Sequence, residues 1–536
     1  MSFVWWKHGV LYQIYPRSFM DSDGDGTGDL EGILSRLDYV ADLGVSGIWL
    51  SPCFVSPMKD FGYDVADYKA IDPLFGSNDG FARLLDAAHQ KGLKILLDFV
   101  PNHTSDQHRW FQNALIGKDA EFRDYYVFKD PAPDGGPPNN WKSVFGGSAW
   151  KYDDKSGQFF LHSYLDCQPD LDWRNPKVEE AMHDILRFWL DKGVDGFRID
   201  VIHRIAKDPL FRDNPEQESD ESYNGQTRVH DENHEDVHIF LRRLRSVMNE
   251  YDERALVGEI FLFSPKTVAA YYGAGDELHL AFNFSFTRAL FSAESFANEV
   301  SGLLAAVPDE GWPCWVLSNH DLSRHHSRYA TGNEDLDERR AKLLAMLLLF
   351  LPGTPFVYNG DELGMRDVVI PSECRQDPIW KTLGEAESRD PCRTPIRWNP
   401  HPPTFGFTDA DSAWLPMVDD GKPPLSVEEQ KNIPQSMLAL YQEAIALRTK
   451  HPVLHLGRLK KLTHDGNVLS IEVVHEEVVA LGLFYFGDDA KELPKEYSFL
   501  QEQIPILASS FIDEKSHRGT LGKTLGGVSA FWFLQK

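Results

Sequence analysis

The chain contains little cysteine, and none of it is spaced as a metal or redox motif. Only five of its 536 residues are cysteine, an odd number, and no two form a Cys-x-x-Cys pair. This argues against a disulfide framework and a thiolate zinc site, and it favours a reducing compartment. The first residues also lack a basic stretch followed by an apolar one, so no signal peptide is predicted. We therefore expect a cytoplasmic protein.

Long apolar stretches and an excess of positive charge are also missing. The longest apolar run, Leu343 to Leu351, is too short to span a bilayer. Acidic residues outnumber basic ones by 82 to 54, which gives a net charge of -28. Such a charge opposes binding to phosphates or anionic lipid, whereas a neutral ligand such as a sugar is not repelled. We expect neither nucleic acid nor a membrane as a partner, and the sequence leaves the oligomeric state open.

Short apolar segments that alternate with amphipathic helical stretches make up most of the chain. Near-continuous apolar segments of this kind are typical of parallel strands that are buried on both faces. Eight of them, each separated from the next by a helical stretch, indicate an α/β fold of the (β/α)8 TIM barrel type. The segments span residues 10–15, 47–51, 94–100, 196–200, 255–259, 278–283, 315–321 and 355–360.

Two regions of the sequence differ from this alternating pattern. The stretch between the third and fourth segments is rich in Gly, Pro, Asn and aromatic residues and is too long for a simple loop. After about residue 450 the chain becomes β-rich, which favours a separate antiparallel domain. We predict a barrel over 1–101 and 174–450, an inserted subdomain after strand 3 over 102–173, and a C-terminal β-sandwich over 451–536.

Acidic residues stand at the ends of four of the predicted strands. They are Asp98, Asp200, Glu259 and Asp321. The active site of a TIM barrel lies at the C-terminal ends of its strands, so these carboxylates are expected to face one pocket. A single aspartate there could simply cap the following helix, but four together favour a functional site.

At these strand ends the chain resembles the α-amylase superfamily, glycoside hydrolase family 13. The resemblance rests on four motifs in the family's order, Asp98-Phe99-Val100-Pro101-Asn102-His103, Gly196-Phe197-Arg198-Ile199-Asp200, Gly258-Glu259 and Ser318-Asn319-His320-Asp321. Within the family it is similar to the oligo-1,6-glucosidase and α-glucosidase group, through segments 60–64, 168–172 and 388–395. In the second of these, Asp172 stands where the group has Asn.

The resemblance implies how the strand-end carboxylates divide the chemistry. Cleavage with retention needs two carboxyl groups about 5–5.5 Å apart, one ionised and one protonated. Asp200 matches the family's nucleophile, Glu259 its general acid/base, and Asp321 the third carboxylate that holds the sugar. Arg198 leaves the same face of the strand as Asp200, so we expect it to lower the pKa of that carboxyl.

Further residues are implied to bind the sugar. Asp60 and Arg389 would pair and hold the 4- and 6-hydroxyls of a terminal glucose, with Arg393 as the competing arginine. An aromatic ring can stack on a sugar face, although most aromatic residues serve only as core. The remaining candidates for substrate binding are Tyr63, His103, Phe145, Gln168, Arg198 and His320.

An acidic, glycine-rich loop near the start of the chain is a candidate metal site. Carboxylates at alternate positions, with Gly at the sixth position, suit Ca²⁺. The twelfth position is Gly32 rather than Glu, so the loop is not a full EF-hand. The resemblance implies one structural Ca²⁺, with Mg²⁺ as an alternative and no cofactor for catalysis; a flexible acidic turn is the other interpretation. The implied ligands are Asp21, Asp23, Asp25, Thr27 and Asp29.

Together these features predict a retaining, exo-acting α-glucosidase. It would release terminal non-reducing glucose from short α-1,6- or α-1,4-linked oligosaccharides through a covalent β-glucosyl-enzyme intermediate, with transglucosylation as a further activity. Val201, after the nucleophile, goes with α-1,6 cleavage in the resembling group. A sucrose hydrolase or an α-glucosyltransferase of the same family is the alternative. A non-catalytic subunit of an amino-acid transporter is the rival from another class. Such subunits carry a membrane helix and lack the catalytic residues, whereas this sequence has the catalytic residues and no predicted membrane helix.

Overall fold

The computed structural model describes residues 3–216, 226–418, 426–509 and 520–535. Its central element is an eight-stranded parallel sheet, and each strand falls on one of the eight predicted apolar segments. Nearly every residue of these strands is buried, because helices cover one face and side chains fill the other. The strands are β1 (Leu11–Ile14), β2 (Gly47–Leu50), β3 (Lys94–Phe99), β4 (Gly196–Ile199), β5 (Ala255–Gly258), β6 (Leu280–Ala281), β7 (Cys314–Val316) and β8 (Thr354–Tyr358).

The strand order identifies the sheet as a barrel. The hydrogen-bonded order is β6-β5-β4-β3-β2-β1-β8-β7, so the last strand pairs with the first. Leu11 of β1 is in register with Gly47 of β2 on one side and with Phe356 of β8 on the other. The predicted (β/α)8 fold is therefore confirmed.

Helices connect the barrel strands. Pro176–Leu190 shows how the sequence starts one: the Asn175 side chain accepts the backbone N–H of Lys177 at 3.0 Å, and a proline occupies the first turn. No helix in the described ranges is long and apolar enough to cross a membrane. The longer helices are Leu30–Ser35, Leu37–Asp42, Asn78–Gln90, Arg109–Ala114, Pro176–Leu190, Val237–Met248, Pro265–Ala270, Ala293–Ala306, Glu334–Phe350 and Met437–Lys450, and the shorter ones are Trp5–His8, His325–Arg328, Trp380–Leu383, Val427–Gln430 and Pro452–Leu456.

The segment between β3 and β4 contains a small antiparallel sheet of its own, Phe128–Lys129, Trp150–Asp153 and Gln158–Leu161. A buried lysine ties this segment to the barrel. The Lys207 ammonium lies 2.6 Å from Asp170 and donates to the Asn102 side-chain oxygen at 2.8 Å. Residues near both ends of the insertion are thereby fixed to the loop that follows Asp200. The limits 102 and 173 stay predictions.

Antiparallel strands dominate the end of the chain, as the sequence indicates. A five-stranded sheet contains Arg458–Asp465, Val468–His475, Val478–Tyr485, Ser529–Gln535 and Leu507–Ala508, and a two-stranded sheet contains Lys491–Glu492 and Thr524–Leu525. The larger sheet packs on the barrel through Phe350, whose ring centroid lies 5.4 Å from that of Trp532. The boundary at residue 450 stays a prediction.

Candidate active site

One arginine gathers three carboxylates at the C-terminal edge of the barrel. The Arg198 guanidinium donates to Asp98 at 2.8 Å and to Asp200 at 2.7 Å, and it forms an ion pair with Glu259 at 2.6 Å. The residues belong to neighbouring strands: Asp98 is in β3, Arg198 is in β4, and Asp200 and Glu259 directly follow β4 and β5. The two carboxylates predicted to be nucleophile and acid/base therefore share one cation and face one space.

The backbone turns sharply after Asp200. Val201 has φ of 35°, a left-handed conformation that is rare for a β-branched residue. In this conformation its N–H donates to the Glu259 carboxylate at 3.2 Å. The turn thus provides a second link between the Asp200 position and Glu259.

Electrostatics distinguish this cluster from a simple ion pair. Burial raises the pKa of Asp200 well above its usual value, and the nearby charges of Glu259 and Asp98 raise it further, against the attraction of Arg198. Burial also raises the pKa of Asp98 to about 6. Arg198 thus lowers the pKa of Asp200, as expected, but burial and the two neighbouring carboxylates outweigh this effect. Close, buried carboxylates make it harder for all of them to ionise together, and a nucleophile and acid pair needs one ionised and one protonated group.

Asp321, in the loop after β7, faces the same space from another side. It lies 3.1 Å from His320, 3.2 Å from Arg389 and 2.8 Å from Arg393. Although burial opposes it, these three neighbours hold the pKa of Asp321 below its usual range. Its side chain keeps 27% of its surface exposed, far more than those of Asp200 and Glu259 at 8% each. It is therefore an ionised carboxylate that a ligand can reach.

His320 and His103 lie in the wall of this space. The Tyr63 hydroxyl hydrogen bonds to His320 at 2.6 Å, and the two rings are stacked at 5.5 Å. The Gln168 amide contacts His103 at 3.2 Å and donates to Asp60 at 3.0 Å. These side chains connect the barrel strands to the inserted segment.

The predicted pair of Asp60 and Arg389 is present, at 2.8 Å. The competing residue, Arg393, contacts Asp321 and the His320 carbonyl instead. The Phe145 ring lies beside the Arg389 guanidinium, 5.5 Å from ring centroid to guanidinium carbon. Arg389, rather than Arg393, is thus the arginine that pairs with Asp60.

Contacts link all of the predicted catalytic and sugar-binding residues into one network. The network also includes residues that were not assigned roles from the sequence, among them Asp98, Tyr164 and Asp377. The Asp98 motif was recognised, but its bond to Arg198 follows only from strand register. The Tyr164 ring lies 5.2 Å from His103 and 5.5 Å from Phe145. Asp377 binds Arg389. The last two lie in irregular segments, where residue spacing carries no signal.

The acidic loop brings together three of its carboxylates. Asp21, Asp23 and Asp29 each offer an oxygen within 4.8 Å of the others. Asp25 lies outside this group and accepts the backbone N–H of Thr27 at 2.7 Å. Three converging hard oxygen donors fit a divalent cation such as Ca²⁺ or Mg²⁺.

Comparison with known proteins agrees with this geometry. The family model described as the α-amylase catalytic domain matches residues 13–457. A probable α-glucosidase of Rhizobium meliloti (strain 1021) is 40% identical over 529 residues, covering 95% of this chain and 94% of that protein. An oligo-1,6-glucosidase of Heyndrickxia coagulans is 39% identical over 500 residues, covering 86% and 88%.

A solved structure shares the whole architecture. The crystal structure of an α-glucosyl transfer enzyme, XgtA, superposes with a TM-score of 0.91 at 37% identity and covers 100% of both chains. Sequence motifs, barrel topology and the strand-end carboxylates thus agree with one another. The chain belongs to the α-amylase superfamily of glycoside hydrolases, in the group of the α-glucosidases and oligo-1,6-glucosidases.

Proposed function

We propose that the protein is a retaining, exo-acting α-glucosidase that releases terminal non-reducing glucose from short α-linked oligosaccharides. One observation carries the proposal: the Asp200 and Glu259 carboxylates bind the same guanidinium. This closeness favours attack by a carboxylate over attack by a water placed between two more widely separated carboxylates, as inversion requires. The α-glucosidase and oligo-1,6-glucosidase relatives support the same class.

The first step would form a covalent intermediate. With a glucosyl ring bound at the pair, the Asp200 carboxylate attacks the anomeric carbon while Glu259 protonates the glycosidic oxygen. The glycosidic bond breaks, the leaving sugar departs with that proton, and a β-glucosyl ester remains on Asp200. This step needs one ionised and one protonated carboxyl group.

The second step would reverse these roles. Glu259, now ionised, removes a proton from a water that attacks the anomeric carbon, and the ester bond to Asp200 breaks. Glucose leaves with its original α configuration. Asp321, held ionised by its arginines, would bind ring hydroxyls more strongly as positive charge develops on the sugar.

The closed end of the site would make the enzyme exo-acting. Asp60 and Arg389, backed by Phe145, offer charged hydrogen-bond partners to the hydroxyls farthest from the anomeric carbon. An oligosaccharide that extended beyond the terminal glucose would collide with Asp60 and Arg389. The valine after the nucleophile, Val201, goes with α-1,6 cleavage in the resembling group, so α-1,6-linked substrates are expected to be preferred. Interception of the intermediate by a sugar hydroxyl would give transglucosylation, which the likeness to an α-glucosyl transfer enzyme supports.

The anomer released first tests the mechanism. Hydrolysis of 4-nitrophenyl α-glucoside, which releases a single glucose, is expected to show α-glucose before β-glucose by proton NMR at an enzyme concentration that outpaces mutarotation. Among isomaltose, maltose and sucrose at equal concentration, isomaltose should be cleaved fastest. Early β-glucose would rule out retention, and faster cleavage of sucrose would favour a sucrose hydrolase.

We further propose that the carboxylates of Asp21, Asp23 and Asp29 hold a structural Ca²⁺, with Mg²⁺ as the alternative ion. A ligand that binds only the folded chain stabilises it. EDTA should therefore lower the Tm by several degrees (a shift on the order expected for about 1–3 kcal/mol) and leave kcat at 25 °C within about twofold. Restoration by Ca²⁺ or by Mg²⁺ identifies the ion.

Substitution separates this effect from general chelation. Asp21→Asn should lower the Tm and make it insensitive to EDTA, whereas Asp79→Asn, an exposed aspartate in a helical first turn, should keep the wild-type response. An EDTA-insensitive wild type would leave the loop as an acidic turn without a metal.

We also propose a cytoplasmic location. All five cysteines are free, and four of them are buried. Free thiols are typical of proteins that function in a reducing compartment.

A further inference from the structure

Arg389 has a partner outside the predicted sugar-binding set. The Asp377 carboxylate accepts the Arg389 Nη2 at 2.8 Å, its Nε at 3.0 Å and its backbone N–H at 2.6 Å. This two-nitrogen contact is the strongest geometry that a carboxylate and a guanidinium can form. It fixes both the direction and the rotation of the guanidinium.

Asp377 itself cannot reach a sugar. Its side chain has no exposed surface. The segment that carries it is anchored in turn, because Asp390 accepts the backbone N–H groups of Gln376 at 2.8 Å and of Asp377 at 3.0 Å. Asp377 therefore holds a fixed position behind Arg389.

The charges around Arg389 explain why a buried carboxylate is needed to hold its guanidinium in place. Two pocket carboxylates also contact Arg389, Asp60 at 2.8 Å and Asp321 at 3.2 Å. Burial opposes ionisation of Asp377, but Arg389 lowers its pKa to about 2, so it stays charged. Without that charge, the guanidinium would be held only by the two carboxylates that must turn to sugar hydroxyls.

We propose that Asp377 is a positioning residue that locks Arg389 so that Arg389 and Asp60 recognise the hydroxyls at the non-reducing end of glucose. It would thereby set the preference for glucose over sugars that lack those hydroxyls. The proposal rests on the function proposed above and goes further by assigning sugar specificity to a residue that never touches the sugar.

The test compares sugars rather than overall rates. We would measure kcat/KM of the wild type and of Asp377→Asn on 4-nitrophenyl α-glucoside and on its 4-deoxy and 6-deoxy derivatives. Asp377→Asn should lower kcat/KM on the parent glucoside about 10- to 100-fold, the usual value of a hydrogen bond to a charged group, with KM rising. It should lower the values for the deoxy sugars much less, so that the preference for the parent falls at least about tenfold.

Asp195→Asn is the matched control. Asp195 is also a buried aspartate, bonded to His89 at 2.6 Å and Lys94 at 3.1 Å, but it precedes β4 at the opposite end of the barrel. Its loss should lower stability and leave the preference unchanged. Asp377→Glu keeps the charge but displaces Arg389, so the preference for the parent glucoside over the deoxy sugars should fall partially. This variant replaces Asp377→Asn in the test if the asparagine variant does not fold.

The outcomes separate the two proposals. A wild type that cleaves no α-glucoside, or an Asp200→Asn variant as active as the wild type, would overturn the proposed function. A wild type that discriminates, with an Asp377 variant that loses activity equally on all three sugars, would overturn the positioning role alone.

Discussion

Replacement of Asp200 by asparagine is expected to lower kcat on 4-nitrophenyl α-glucoside by about 10⁴-fold or more, the usual cost of removing a central catalytic group. An amide cannot attack the anomeric carbon, so no glucosyl ester forms. The change is nearly isosteric, and Arg198 keeps its contacts with Asp98 and Glu259. The loss should therefore fall on kcat, with thermal unfolding close to that of the wild type.

The same strand supplies the control for this experiment. Asp195 and Asp200 flank β4 at its two ends, and both are buried. Asp195→Asn should keep wild-type kcat on the same substrate despite lower stability. An Asp200→Asn variant retaining more than about one hundredth of wild-type kcat, with mass spectrometry excluding deamidation, would remove Asp200 from the nucleophile's role.

The barrel and the main site residues could be predicted because each follows from a local pattern. A strand buried on both faces must be apolar along its whole length, so the eight segments stand out in the sequence. Polar residues where those segments stop fall at one edge of the sheet, because parallel strands end together. Asp200, Glu259 and Asp321 were found in this way.

Other features depend on quantities that a sequence does not contain. The raised pKa of Asp200 follows from the depth of burial and from a third carboxylate, Asp98, whose contact with Arg198 is set by strand register. Asp377 reaches Arg389 through an irregular segment with no periodicity. In the acidic loop, the alternation of carboxylates is visible in the sequence, but the Asp25 side chain instead accepts a backbone N–H of its own turn.

Replacement of Glu259 by glutamine should affect substrates according to their leaving groups. A sugar leaving group needs a proton, whereas 4-nitrophenolate leaves without one. We therefore expect kcat/KM on isomaltose to fall about 10³-fold, within the usual range for general acid catalysis, and kcat/KM on 4-nitrophenyl α-glucoside to fall far less. Deglucosylation should become rate-limiting for the aryl substrate, because no base remains to activate water.

Azide tests whether Glu259 acts as the general base, and the pH profile tests whether it raises the pKa of Asp200. Azide needs no base, so it should restore turnover of the aryl glucoside and give α-glucosyl azide. In the wild type, the raised pKa of Asp200 places the acid limb of kcat/KM above the ordinary aspartate value of about 3.9. Because Glu259 contributes to that rise, its neutral replacement should lower the pKa of Asp200 and move the acid limb to lower pH.

Glu277→Gln is the matched control for Glu259. Glu277 is equally buried but bonds to His238 at 2.7 Å and to Arg242 at 2.8 Å, away from the Arg198 cluster. Its variant should keep the wild-type leaving-group dependence, azide response and acid limb. Equal losses on isomaltose and the aryl glucoside in Glu259→Gln, without azide rescue, would mean that Glu259 only supports Arg198. An unchanged acid limb would mean that Glu259 does not raise the pKa of Asp200.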